Sequence, residues 1–163
     1  ASIMYHSFVL KINKVCELLA MAFLIIMIAI VFFQIIGREL LQTSVPWFEE
    51  LAKYLLVWTT FIASGYAYQK VAHLNVEAFI KKLSFSNYRL VKRIIYIICI
   101  SFAFIILIYG YQLVAKSVNS TTPGMGISMS IVYSIIPIGA LLQIINLIDL
   151  LIKPEEKTSE VGE

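Results

Sequence analysis

The chain has 163 residues, 60% of them hydrophobic and 14% charged, with a formal net charge of +3 and a mean hydropathy of +0.87. A soluble domain averages about 45–50% apolar and about 25% charged, so the composition argues against a water-soluble fold and for an all-α integral membrane protein. The basic residues flank apolar runs instead of forming a domain of their own, which leaves nucleic-acid binding without support.

Residues 1–14 make a short polar-to-amphipathic start carrying Lys11 and Lys14. A first membrane span is expected over about 15–36, too long for the apolar core of a signal peptide, about 7–15 residues. Glu17 is its only acid and stands three residues from Lys14, so the two are expected to pair on one helix face at the membrane boundary. A proton-coupling role for Glu17 would suit a position nearer the midplane. Arg38 follows Gln34 by four residues at the end of this span.

The stretch Val45-Pro46-Trp47-Phe48-Glu49-Glu50 opens the second span, about 51–68. Pro46 fits the first turn of a helix, where its missing N–H costs nothing, and the positive end of the helix dipole favours Glu49 and Glu50. Trp47 at the entry and Tyr66 and Tyr68 at the exit suit the two membrane–water boundaries. Tyr54, Trp58, Phe61, Gly65 and Tyr68 share one face, and Thr60 and Ser64 lie on another. Small and hydroxylated residues let membrane helices approach closely, so ordinary helix packing accounts for this face. The two spans form a hairpin, which predicts that Arg38 pairs with Glu50 or Glu49 and that Trp47 covers the pair. A Glu49–Lys53 pair one helical turn apart is the alternative.

Val71, Leu74, Ala78, Phe79 and Leu83 then recur at three- and four-residue intervals. This reads as an amphipathic interfacial helix over about 70–83, closed by a turn at residues 84–87. A third span, about 94–115, is apolar on all sides and suited to face lipid. Pro123-Gly124 in the loop that follows carries the residues of a type II turn. In the fourth span, about 131–152, Pro137 should kink the helix. Gln143, Asn146 and Asp149 form a polar stripe that should face protein, with Asp149 pairing Lys153. Residues 154–163 read as a disordered cytoplasmic tail, leaving residues 1–153 as a single four-helix membrane domain.

Orientation follows from the cations. With the N-terminus inside, only Arg38, Lys53 and Lys116 of the 13 Lys and Arg fall outside. Cytoplasmic segments are enriched in Lys and Arg, so both termini are expected in the cytoplasm. Cys16 and Cys99 form no CxxC or Cys/His cluster and are expected to be free apolar-site cysteines. His6 and His73 lie outside the spans, which excludes bis-histidine haem ligation within the bundle. No nucleophile–base pair or metalloprotease motif lies in a span, so an enzyme is not expected. No ionisable residue stands at mid-span and no internal repeat is present, unlike self-sufficient ion-coupled carriers.

Several pieces in order resemble the DctQ family, the small membrane subunits of tripartite ATP-independent periplasmic (TRAP) transporters. They are Arg38, Trp47-Phe48-Glu49-Glu50-Leu51, the Trp58, Phe61 and Gly65 face, and His73-Leu74-Asn75-Val76-Glu77. The Pro123 loop and Pro137-Ile138-Gly139 also fit. An Asp is the more usual residue where Glu77 stands. The resemblance covers nearly the whole chain. It implies a bacterial inner-membrane system in which a soluble periplasmic substrate-binding protein captures an organic acid anion. A large polytopic subunit then moves the anion, with Na+ coupling in that partner and no cofactor in this chain. Sialic acids and C4-dicarboxylates are family substrates, and overall likeness leans towards the sialic acid branch. Arg38, Trp47, Glu49, Glu50, Tyr54, Trp58, Phe61, Gly65, His73, Glu77 and Pro137 are the candidate interface or structural residues. The competing readings are a stand-alone exporter using Glu17 and a structural subunit of another membrane complex.

Overall fold

A computed structural model describes residues 2–43, 45–80 and 85–152. Among the described residues five helices follow one another: α1 (Ser2–Leu41), α2 (Pro46–Ile80), α3 (Phe85–Lys116), the one-turn α4 (Met129–Tyr133) and α5 (Ile135–Ile152). Among the described residues the only β pairing is an isolated antiparallel bridge between Thr121 and Ser128. Among the described residues three stretches are long and apolar enough to cross a membrane: Ile3–Leu41, Arg89–Lys116 and Met129–Ile152.

The 40 residues of α1 extend about 60 Å at 1.5 Å per residue. The helix stops at Leu41, after which Gln42 takes a left-handed φ of 48° and the chain turns back. Pro46 is the first residue of α2, as its fixed φ favours, and Phe48 N–H reaches Val45 O at 3.1 Å. The second span and the segment expected to form a separate interfacial helix are one continuous helix here. No Gly or Pro interrupts residues 66–80, so nothing in the backbone stops the second span at Tyr68. The turn expected at 84–87 is not found over residues 85–87, where α3 has already begun, and residue 84 lies outside the described residues.

The break between α4 and α5 falls at Ser134, three residues before Pro137. A proline ring clashes with the carbonyl four residues back and cannot donate to the ladder, so the expected kink appears one turn upstream of Pro137. Ser128 caps α4 by accepting from Ser130 N–H.

Helices α2 and α5 form the centre. They run parallel, Phe61 meeting Gly139 and Gln69 meeting Asp149 further along both, with α1 packed chiefly on α2 and α3 chiefly on α5. Glycines set the closest approaches. A Cβ on Gly139 would stand 2.9 Å from Phe61, one on Gly65 would stand 2.8 Å from Leu142, and one on Gly110 would stand 2.8 Å from Ile136. Around the first seam Cys16, Ala20, Ile62 and Ile135 are buried, with Phe23, Trp58 and Phe61 packed on them. Tyr96, Leu147 and Leu150 form a second cluster, joined by Tyr68 and Cys99. Half of the α4–α5 stretch is buried, whereas α1 and α3 bury little of themselves. Their exposed side chains, such as Ile25, Phe33, Ile98 and Phe102, are apolar, as a lipid-facing helix requires.

Candidate functional site at the two ends of the bundle

The chemistry of this chain gathers at its two ends. At the end holding the α1–α2 turn, Glu50 reaches the loop that connects α3 to α4. Its Oε2 accepts from Gly124 N–H at 3.0 Å and Met125 N–H at 2.7 Å, while Oε1 accepts from Tyr54 OH at 3.0 Å. A carboxylate holding backbone N–H groups makes charge-assisted bonds of the stronger kind. A Cβ at Gly124 would meet Glu50 Oε2 at 2.8 Å, so a larger residue there would push the carboxylate end away from the loop amides.

The expected type II turn does not form at Pro123-Gly124. The glycine with positive φ is Gly126, at +69°, and its N–H closes on Thr122 O at 3.1 Å. Thr122 N–H to Ile127 O and Met129 N–H to Ser120 O, at 2.8 and 2.7 Å, brace the rest of the loop.

The pairing expected of Arg38 is not found. Arg38 points to Glu39 at 3.7 Å, both side chains being about two-thirds exposed. Glu49 pairs with Lys53 at 3.2 Å, one helical turn on. Trp47 lies against Phe48, ring centroids 4.1 Å apart, and is itself exposed. The reason is local: Glu50 is already held by loop amides, and neighbouring acids on each helix satisfy the exposed cations.

Along the seam the face on α2 meets other elements of the same chain. Trp58 stands edge-on to Phe23 with ring centroids 6.4 Å apart, while Phe61 and Gly65 meet α5 at Gly139 and Leu142. Gln143 donates to Ser64 Oγ at 2.8 Å. Pro137 touches the crossing at Gly110 on α3. His73 and Glu77 fall within α2, but their side chains lie outside the described residues.

At the opposite end a polar cluster is buried between α1, α2 and α5. The polar stripe on α5 does face protein. Asp149, 2% exposed, holds His6 Nδ1 at 2.8 Å and Gln69 Nε2 at 2.7 Å on the same Oδ2. Asn13 donates to Asn146 Oδ1 at 2.7 Å, and Asn146 donates in turn to Leu142 O at 2.8 Å. Tyr5 donates to Ile145 O at 3.0 Å. Asp149 thus finds its partners on α1 and α2, and Lys153, the expected partner, lies outside the described residues.

Glu17 pairs across to Lys70 on α2 at 2.8 Å, not to Lys14 on its own helix. The Glu17 hydrogen bond and charge hold the Lys70 ammonium above the ordinary lysine value. Glu17 is therefore a partly exposed boundary charge. His6, Asn13 and Gln69 were not singled out by their chemistry in the sequence. The available signal was position: Gln69 follows Gly65 by four residues, on the face that packs. Among the described residues no group of three or more His, Cys, Asp or Glu could hold a metal ion, and both cysteines are free.

The model of the family described as "Tripartite ATP-independent periplasmic transporters, DctQ component" matches residues 27–155. A Haemophilus influenzae protein named as a TRAP transporter small permease protein is 28% identical over 150 residues, covering 91% of this chain and 90% of its own. A second protein of that organism, with the same description, is 24% identical over 122 residues, covering 75% and 76%. The family match thus runs from the second half of α1 to beyond α5, taking in the α2–α5 seam and the Glu50 contacts but not the α1 residues Tyr5, His6, Asn13 and Glu17. The chain belongs to the DctQ family of TRAP transporter components and is a transport component, not an enzyme.

Proposed function

We propose that this chain is the scaffold-forming small subunit of a sodium-coupled TRAP transporter of the bacterial inner membrane. In this reading it sits beside a large polytopic subunit and works with a periplasmic protein that delivers an organic acid anion of the sialic acid or C4-dicarboxylate type. The sodium and substrate path belongs to the large subunit. One observation carries the scaffold role: the α2–α5 seam is closed by glycine contacts and aromatic packing, and the described ionisable groups stand towards its ends. A tightly packed helix pair of this kind supports a neighbour and does not itself offer a charged solute a route.

Helix α2 is the fourth span in this reading. Its 35 residues are long enough to cross a bilayer core of about 30 Å, although it is the least apolar of the four. The Glu50 contact to Gly124 joins the α1–α2 turn to the α3–α4 loop at one end, as four spans with both termini on one side require. The excess of Lys and Arg on the other side makes that side cytoplasmic.

Co-purification tests the assignment. The tagged chain, extracted gently from its native membrane, is expected to bring down a much larger polytopic protein in constant ratio. Recovery of this chain alone under conditions that preserve other membrane complexes would count against it. Topology is tested separately with single cysteines at Asn87 and Ser120 in a background lacking Cys16 and Cys99. An impermeant reagent added outside should label only the Ser120 position, and labelling of both would sink the four-span arrangement.

A further inference from the structure

Helix α3 opens with a group of cations, Arg89, Lys92 and Arg93, and its 32 residues include no Asp or Glu. Arg89 and Arg93 stand one turn apart on one side of the helix, and both are exposed. Among the described residues the Arg93 guanidinium makes no hydrogen bond or ion pair. Lys92 reaches over the Tyr96 ring, with Nζ 5.8 Å from its centroid, and that ring packs with Leu147 and Leu150 of α5. The described carboxylates at this end of the bundle have partners of their own, Glu17 in Lys70 and Asp149 in His6.

Past the cations α3 turns apolar on the same side. From Arg93, steps of four, three and four residues lead to Ile97, Ile100 and Phe104, positions that share one helix face. Ile97 is 56% exposed and Phe104 47%. The stretch from Arg93 to Phe104 rises about 16 Å at 1.5 Å per residue, which matches one leaflet, half of a bilayer core of about 30 Å. Cations at the boundary above an apolar face one leaflet deep fit a molecule with an anionic head and an acyl chain. The planar guanidinium presents a fork of donors to phosphate oxygens. A zwitterionic head would bring its own ammonium among these cations and gain less.

We propose that Arg89, Lys92 and Arg93 bind the head of one anionic phospholipid, whose acyl chain runs along Ile97, Ile100 and Phe104. With the orientation proposed above, this lipid belongs to the cytoplasmic leaflet, whose anionic lipids attract basic segments next to a span. Orientation decides only the leaflet. Binding in detergent does not depend on it, and labelling at Asn87 tests it separately.

The test is native mass spectrometry of the full chain in detergent, offered dioleoyl phosphatidylglycerol and dioleoyl phosphatidylcholine in equal amounts. One phosphatidylglycerol should be retained, several-fold in excess over phosphatidylcholine. Arg93→Gln, a change at an exposed position, should cut that preference several-fold. Lys116→Gln removes an exposed cation from the other end of α3 and should leave the preference intact. Excess glycerol phosphate should not displace the lipid, and the co-purified complex should retain it as well. Equal retention of the two lipids, or an unchanged preference in Arg93→Gln, would overturn the proposal. An equal fall in both variants would do so too, because diffuse charge alone would then be at work. Displacement by glycerol phosphate would overturn it in favour of a soluble phosphate ligand, and loss of the lipid from the complex would overturn it in favour of a subunit contact.

Discussion

The two ends of the bundle use carboxylates in opposite ways. At the end holding the α1–α2 turn Glu50 reaches across to the amides of an exposed loop, and what it fixes is backbone. At the opposite end Asp149 is enclosed, and its partners are side chains from two other helices. Loss of the first carboxylate exposes amides that water can satisfy. Loss of the second strands groups that water cannot reach. Similar bond lengths therefore stand for different energies, because burial decides what replaces a lost partner.

The largest effect should come from Asp149→Ala. Removing one member of a buried charged cluster costs about 3–5 kcal/mol, and Gln69 and His6 would each lose a partner. Thermal unfolding in detergent should show a large drop in Tm. A change no larger than that of a surface substitution would show that the Asp149 end is hydrated and erase the contrast between the two ends.

Gly139→Val should come next. Its side chain would enter Phe61, already 2.9 Å from a bare Cβ, and overpacking of this kind costs about 1–3 kcal/mol. This variant separates the seam from both ends: it should lower Tm while leaving the Glu50 contacts in place.

Glu50→Ala should cost about 1–2 kcal/mol, the range for lost hydrogen bonds to a partly exposed charged group. Its signature should be local. Hydrogen exchange should accelerate at Gly124 and Met125 and little elsewhere. Uniform acceleration across α5 would mean that the Glu50 contact supports the whole bundle.

Arg38→Ala should change stability by no more than about 0.5 kcal/mol, as exposed surface positions do, because its only described partner is the exposed Glu39. A larger loss that appears only in the complex would instead place Arg38 at a contact with another subunit.

These contrasts also explain what the sequence disclosed. Apolar runs separated by charged connections made the helices legible, since period and length suffice for that. Pro46 and Pro137 act on their own backbone, so their consequences could be placed within a turn. The polar stripe of Gln143, Asn146 and Asp149 could be assigned to a protein-facing side because lipid offers no partners. The identity of those partners was not legible. His6, Asn13 and Gln69 meet the stripe through the packing of three helices, and no local spacing encodes it. Glu50 was singled out as a boundary carboxylate, but its partners are backbone amides more than 70 residues away, and backbone carries no side-chain signature. Charge arithmetic had matched it with Arg38, when the nearer acid, Glu39, was the simpler neighbour. The continuation of α2 to Ile80 followed from the absence of a breaker, whereas polarity alone had suggested a boundary near Tyr68.

The scaffold role proposed for this chain means that it supports transport without performing it. The direct measurement is uptake of labelled organic anions into proteoliposomes under an inward sodium gradient, with the cognate binding protein outside. Vesicles holding this chain alone should accumulate nothing above empty vesicles, and vesicles holding it together with its large partner should accumulate substrate. Sodium-dependent uptake by this chain alone would contradict the account.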